Sequence, residues 1–418
     1  MANTNNNKSL NVPNLRFPEF TGEWKAERLN DIAILTKGAG ISKDQLSESG
    51  EPCILYGELY TKYKSEIIED VISKTNIPTD KLIKSKANDV LIPCSGETAV
   101  DIATARCVLS DNVLLGGDLN IIRLKHHDGS FMSYQLNGKR KYDIAKVAQG
   151  VSVVHLYGEN LKGIVTYNPQ IEEQKKIVGL LSLLDERIAT QNKIIGDLKK
   201  LKSAIIDKSF CYPNESSPQK RFTDFTEEWH LVHLSDICQR VRTKNFNTQC
   251  TLVLTIAAQF GLVSQEEFFN KSVASDNLEG YYLLQKGDFA YNKSYSGDYA
   301  WGAVKRLECF SEGVLSPLYI CFRPDTARID SDFLAHYFES KKWYKGIADI
   351  AGEGARNHGL LNLSVIDYFK TLHRIPSIQE QKVIANVLNK LTSKISIEKN
   401  LYDDLLLQRQ HLLQQMFI

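Results

Sequence analysis

The sequence predicts an α+β protein: a tandem duplication of a mixed α/β domain plus a long helix, the two long helices pairing as an antiparallel coiled coil with pseudo-twofold symmetry. Three observations predict it. Arg16-Phe-Pro-Glu-Phe-Thr-Gly-Glu-Trp24 returns 205 residues later as Arg221-Phe-Thr-Asp-Phe-Thr-Glu-Glu-Trp229, and Leu29-x-Asp31-Ile32 returns at the same offset as Leu234-x-Asp236-Ile237. Pro169-x-Ile171-x-Glu173-Gln174-Lys175 returns 207 residues on as Pro376-x-Ile378-x-Glu380-Gln381-Lys382. After each copy of this second echo, apolar residues recur in alternating steps of four and three. A period this long marks whole domains rather than a solenoid.

Residues 1–13 are polar and rich in Asn, and are expected to be a disordered lead-in. In the first domain, Val90–Ile92, Ile121–Leu124 and Val151–Leu156 alternate with Gly, Asn and Asp punctuation and predict short strands. The second domain answers with Phe289–Tyr291, Leu318–Phe322 and a loop over Gly352–Gly359. Asn88-Asp89-Val90 is matched by Gly287-Asp288-Phe289, each followed by Ser-Gly at 95–96 and 296–297.

The helical tails carry the clearest periodicity. Ile177, Leu181, Leu184, Ile188, Gln191, Ile195, Leu198, Lys202 and Ile205 form one seam. Ile384, Leu388, Leu391, Ile395, Glu398, Tyr402, Leu405, Arg409 and Leu412 form the other. That is a coiled-coil seam over about four heptads. Gln191 and Lys202 interrupt the first where Glu398 and Arg409 interrupt the second. Polar seam residues fix register at some loss of stability. A 36-residue helix runs about 54 Å, longer than a small domain needs for its own packing. The Pro-containing hinge Tyr212–Pro218 lets the second domain return antiparallel, giving a rod with a domain at each end.

Composition bounds the function. Lys and Arg total 51 against 50 Asp and Glu, so any phosphate-binding face must be local. Eight scattered cysteines without a Cys-x-x-Cys pair fit a reducing cytosol, and no apolar run approaches the roughly 20 residues of a membrane span. A cytoplasmic chain with no membrane partner is expected.

Catalytic patterns are missing. There is no phosphate-binding G-x-x-x-x-G-K-[ST], and Gly38-Ala-Gly40 is an isolated turn pair. Ser316-Pro-Leu-Tyr319 lacks the Asn amide that an amino-methyltransferase needs to hold its target, and reads as strand entry. Asp325, Glu339 and Lys341 occur in the order of a metal-dependent nuclease, but Phe333, Leu334, Tyr337 and Phe338 put Glu339 on a helix end. Neither catalytic residues nor metal ligands are expected.

What remains is basic and aromatic interleaving in both domains. Tyr56, Tyr60, Lys62, Tyr63 and Lys64 form one stretch, with Lys139, Arg140 and Lys141. Arg240, Arg242, Lys244, Asn292, Lys293, Tyr295 and Arg356 form the second set. Lys and Arg neutralise phosphates, Arg pairs with guanine edges and Asn with adenine. These fifteen are the candidate DNA contacts.

The paired R-F-x-x-F-x-x-x-W openings and P-x-I-x-E-Q-K helix entries resemble the specificity subunit of type I restriction–modification enzymes, over residues 14–418. One departure is Thr223 where the first copy has Pro18. The resemblance implies two target-recognition domains, 14–168 and 221–375, each reading one half of a split double-stranded DNA target. It implies spacer helices at 169–211 and 376–418, joined by a hinge at 212–220, that set half-site separation and dock other subunits. Two methyltransferase subunits using S-adenosylmethionine and two restriction/translocase subunits using ATP and Mg are the implied partners, with no cofactor in this chain. A non-DNA adaptor with paired helices fits the missing catalytic motifs equally well, and a stand-alone nuclease through Asp325, Glu339 and Lys341 is the third reading.

Overall fold

A computed structural model describes residues 10–150, 152–221, 224–257, 259–271, 277–294, 299–352 and 361–418. The chain divides into two compact units, residues 1–192 with 400–418, and residues 193–399. Each long helix, Ile171–Ser209 and Ile378–Gln415, therefore begins in one unit and ends in the other.

In unit 1 a five-stranded sheet runs in the order Ala33–Lys37, Leu119–Leu124, Asp89–Pro93, Arg106–Val108, Ile67–Ile68. In unit 2 the order is Cys238–Arg240, Ile320–Pro324, Phe289–Asn292, Ala303–Arg306. The first four strands of unit 1 thus recur in the same order. A two-stranded antiparallel ladder closes each domain: Lys25–Arg28 on Val165–Asn168, and His230–His233 on Leu372–Ile375. The ladder returns the chain to the domain entrance just before each long helix. The Asp89 and Phe289 strands follow a left-handed residue, Asn88 at φ +80° and Gly287 at φ +95°, which explains the Asn/Gly in that echo.

The units differ away from this shared frame. Unit 1 carries a second sheet built from Leu46–Ser47, Ser73–Thr75, Glu51–Ile54, Leu114–Leu115 and Ile83–Lys84. Unit 2 instead carries the hairpin Leu254–Ala257/Gly261–Ser264 and the ladder Tyr282–Gln285/Glu312–Leu315. Two predicted strand limits shift. Leu318 stands in the turn before its strand, where the Tyr319 amide donates to the Ser316 carbonyl, and Leu318 is exposed. Of the Val151–Leu156 stretch, Val154–His155 forms the strand and Val151 lies outside the described residues. So does most of the Gly352–Gly359 loop.

The helices are tied together within each unit. In unit 1, Ile177 and Leu181 from the start of the first helix share a core with Leu412, Leu413, Met416 and Phe417 from the end of the second. In unit 2, Ile205, Ile206 and Phe210 pack with Ile384, Ala385 and Leu388. The start of each helix meets the end of the other, so the pair runs antiparallel. Ile177, Leu181, Leu184, Gln191, Ile195, Ile384, Leu388, Ile395, Glu398 and Leu405 are buried, and Ile188, Leu198, Leu391 and Tyr402 are half-buried.

Candidate nucleic-acid interface

The echoed residues build the joint between each domain and its helix. Arg16 grips Glu173 with two hydrogen bonds of 2.7 Å, and Arg221 grips Glu380 at 2.8 and 2.7 Å. Both carboxylates are buried. These are planar, bidentate, charge-assisted pairs, the strong class of ion pair. The next residue of the motif works equally hard. The Gln174 amide accepts from the Asp128 backbone at 2.9 Å and donates to the Pro169 carbonyl at 2.8 Å; Gln381 does the same with Asp330 and Pro376 at 2.7 and 2.9 Å. Asp128 and Asp330 are the N-caps of the domain helices Gly129–Asn137 and Ser331–Glu339. The Glu-Gln pair thus fixes the long helix to the domain opening and to a domain helix at once.

Trp24 and Trp229 fill the same joint. Trp24 stacks edge-on to Phe131 and Phe417, and Trp229 to Phe333, which meets Phe210. A second pair recurs in each sheet, an arginine reaching from the surface onto a buried aspartate: Arg123 on Asp89 at 2.8 and 2.6 Å, and Arg323 on Asp288 at 2.6 and 2.8 Å. The sequence displayed Asp89 and Asp288 as an echo but not their partners, because the matching strands Leu119–Leu124 and Ile320–Pro324 that carry the arginines do not repeat in sequence.

The candidate DNA contacts separate into two groups. Several are engaged inside the fold. Tyr63 is buried and its hydroxyl accepts from the Ile72 amide, while Lys62 bridges Glu58 and Ser73 at 2.6 and 2.7 Å. Arg140 donates to the Ile418 carbonyl at 2.7 Å, pairs with Asp143 at 3.0 Å and lies over the Tyr167 ring. Lys244 donates to the Gly280 carbonyl and stands 4.0 Å from the Tyr282 ring centroid; Arg240 reaches the hydroxyl of the same tyrosine at 3.3 Å. Asn292 turns its amide oxygen to the Ser294 amide, and Tyr56 and Tyr60 are half-buried. The second group is available. The side chains of Lys139, Lys141, Arg242 and Lys293 make no hydrogen bond or ion pair among the described residues, and exposed Lys64 makes one long contact to the Tyr60 carbonyl. Tyr295 and Arg356 lie outside the described residues.

The polar seam residues belong to networks that spacing alone could not show. Arg409 pairs with Asp185 at 2.5 Å and with Glu66, and the Tyr134 hydroxyl donates to Asp185 at 2.7 Å. Burial opposes the Arg409 charge, but Glu66 and Asp185 outweigh it and raise its pKa. Lys202 pairs with Glu339 at 2.8 Å. Burial would raise the Glu339 pKa, yet the His336 hydrogen bond and Lys202 hold it down at about 2. Glu339 is thereby a helix-anchoring group at the end of Ser331–Glu339, not one side of a strand-borne nuclease centre. Among the described residues no His, Cys, Asp and Glu cluster is arranged to hold a metal, and no helix is long and apolar enough to cross a membrane.

Comparison with known proteins agrees with this architecture. The family described as "Type I restriction modification DNA specificity domain" matches residues 21–200. The chain is similar to the Type I restriction enzyme MjaVIII specificity subunit of Methanocaldococcus jannaschii, 24% identical over 406 residues, which are 92% of this chain and 89% of that one. Its fold resembles the crystal structure of a Type-I restriction-modification system S subunit from M. genitalium, with a TM-score of 0.59 and 18% identity over 97% of this chain and 99% of that one. A structure from a study of complex assembly and conformational transition of the type I R-M system aligns with a TM-score of 0.54 and 14% identity, over 94% and 97%.

Proposed function

We propose, from the premise that the chain belongs to the family of type I restriction–modification DNA specificity subunits, that its two domains each read one half of a bipartite double-stranded DNA target. The subunit supplies specificity and not catalysis. The reading is supported by one observation above the rest: two dissimilar outer surfaces ride on one repeated anchoring frame, Arg16–Glu173 and Arg221–Glu380. A repeated mount with differing surfaces is what two readers of two different half-sites require.

In this proposal 14–168 and 221–375 are the recognition domains, 212–220 is the hinge, and the helices within 169–211 and 376–418 set the half-site separation. Half-sites about one helical turn apart put both contacts on one face of the duplex. Lys64, Lys139, Lys141, Arg242 and Lys293 are the proposed phosphate and base contacts of the available group. The helices also dock two methyltransferase subunits, and two restriction/translocase subunits complete the assembly. S-adenosylmethionine, ATP and Mg belong to those partners, and the assembly is cytoplasmic.

Co-expression with a methylating partner, followed by genome-wide mapping of methyladenine, tests the proposal. The expected result is one motif with two defined halves separated by a fixed gap. A single uninterrupted motif, or no methylation dependent on this chain, would overturn it.

A further inference from the structure

The repeat allows each position of one unit to be compared with its counterpart in the other, and at one place the two differ sharply in charge. In unit 1, Arg106 on the Arg106–Val108 strand is buried and packs near the Arg409 cluster, where Glu66 and Asp185 balance the two arginines. Strand register identifies the counterpart of Arg106. Arg106 stands opposite Leu91, one residue after Val90, and Lys305 stands opposite Ala290, one residue after Phe289. Val90 and Phe289 are the matched residues of the Asn-Asp-Val and Gly-Asp-Phe echo.

Around Lys305 the balance is gone. At the 207-residue offset, Asp185 of unit 1 becomes Thr392 in unit 2, Asn192 becomes Lys399, and Leu406 gives way to Lys199. Instead of a packed, neutralised cluster, unit 2 has an open cavity of about 500 Å³, lined by Lys199, Lys202, Lys305, Lys399, Glu339 and Thr392. Four ammonium groups thus face one carboxylate, and that carboxylate is already held by Lys202 at 2.8 Å. Lys305 is half-buried with no hydrogen bond or ion pair among the described residues, and its ammonium lies 5.8 Å from the Tyr299 ring centroid. Burial pulls the Lys305 pKa down and Lys202 adds to it, while Glu339 and, more weakly, Glu308 oppose this. A half-buried cation beside other cations is stabilised by an anion in the cavity.

We propose that this cavity of unit 2 is a phosphate-binding site, with Lys305 at its floor, Lys199 and Lys399 from the two long helices at its rim, and Lys202 bridging phosphate and Glu339. The phosphate is carried either by a DNA strand or by a free nucleotide. The DNA case rests on the function proposed above; the free-nucleotide case does not. In either case the site is asymmetric, present in the second unit and filled by protein carboxylates in the first.

The test uses the full chain and two probes, inorganic pyrophosphate by calorimetry and a 30-base-pair duplex by anisotropy across a salt series. Wild type should bind pyrophosphate. Lys305→Gln should weaken that at least tenfold, as should Thr392→Asp, which restores the carboxylate of unit 1. Glu339→Gln should strengthen it several-fold, a gain that a purely structural role would not produce. If the phosphate is on DNA, Lys305→Gln should also make the slope of log affinity against log salt shallower by about 1 for the lost phosphate contact. An unchanged slope with weakened pyrophosphate binding assigns the site to a free nucleotide. Pyrophosphate binding without any duplex binding would overturn the DNA-reading function and leave the site standing. Should Lys305→Gln lower the melting temperature, the exposed pair Lys199→Gln and Lys399→Gln replaces it. No pyrophosphate binding by wild type, or binding indifferent to every one of these substitutions, overturns the proposal.

Discussion

Phe417, near the end of the second long helix, packs edge-on against Trp24 at the opening of the first domain, with ring centroids 6.4 Å apart and planes at 84°. Both rings are buried, and Phe131 completes the cluster. The far end of the chain is thus part of the core of the first domain.

Phe417→Ala should therefore destabilise unit 1 by about 3–5 kcal/mol, the range for emptying a buried aromatic site. Denaturant unfolding followed by limited proteolysis should show fragments from the first domain released early. Phe210→Ala, at the matching place in unit 2, should release fragments of the second domain instead. Equal sensitivity of both domains to either substitution would contradict the separate cores.

Arg16→Ala should cost about 3–5 kcal/mol, because it strands the buried Glu173 carboxylate without its cation. Arg16→Lys restores charge but not the two-pronged geometry, and should recover only part of the loss. Arg221→Ala should behave alike through Glu380. Thermal unfolding of the three variants checks this, and full rescue by lysine would show that geometry is irrelevant there.

His373 sets a pH dependence. It is buried, bonded to the Tyr337 hydroxyl at 2.9 Å and the Thr371 hydroxyl at 2.8 Å, and burial together with the His233 charge holds its pKa at about 3. The ordinary imidazole value is about 6.5, so the unfolded chain binds the extra proton first. Stability from this group is complete above about pH 6.5 and is lost as pH falls toward 3, at about 1.4 kcal/mol per unit. Melting curves at pH 7 and pH 5 should show the loss in wild type and a smaller one in His373→Gln. Identical pH profiles would remove His373 as the cause.

Inserting one helical turn between Gln191 and Lys202 should change the half-site gap of the methylated motif or stop assembly. Replacing residues 221–375 with the corresponding segment of a relative should change one half of the motif and keep the other. Methyladenine mapping reads both outcomes. An unchanged gap with full activity, or a change in both halves, would tell against separate readers on a spacer.

The repeated frame was legible because it is local and periodic. The helix seams from Ile177 and Ile384 announce themselves in steps of four and three, and the Pro-x-Ile-x-Glu-Gln echo marks where each helix starts. Contacts were less so. Arg16 and Glu173 are both in echoes, yet nothing in one dimension says that they face each other. Lys62 and Arg140 look like free cations in the sequence, and tertiary structure engages them with the Ser73 hydroxyl and the Ile418 carbonyl. The second sheet of unit 1 was missed for a different reason: strands such as Leu114–Leu115 and Ile83–Lys84 are two residues long, too short for any period to register.

The ends of the two helices have a consequence for how the chain matures. The Lys220 amide donates to the Lys208 carbonyl at 2.9 Å, and the matching Leu15 amide donates to Gln415 at 2.9 Å. The first tie closes a loop of a dozen residues, while the second joins residues almost a whole chain apart. The difference in loop-closure entropy is about 3 kcal/mol. During synthesis, unit 2 can seal its joint as soon as its own residues emerge, since Phe210 and Lys208 precede them. Unit 1 leaves the ribosome first but must wait, its Trp24 and Phe131 uncovered, until Phe417 arrives. The half made first is the half finished last.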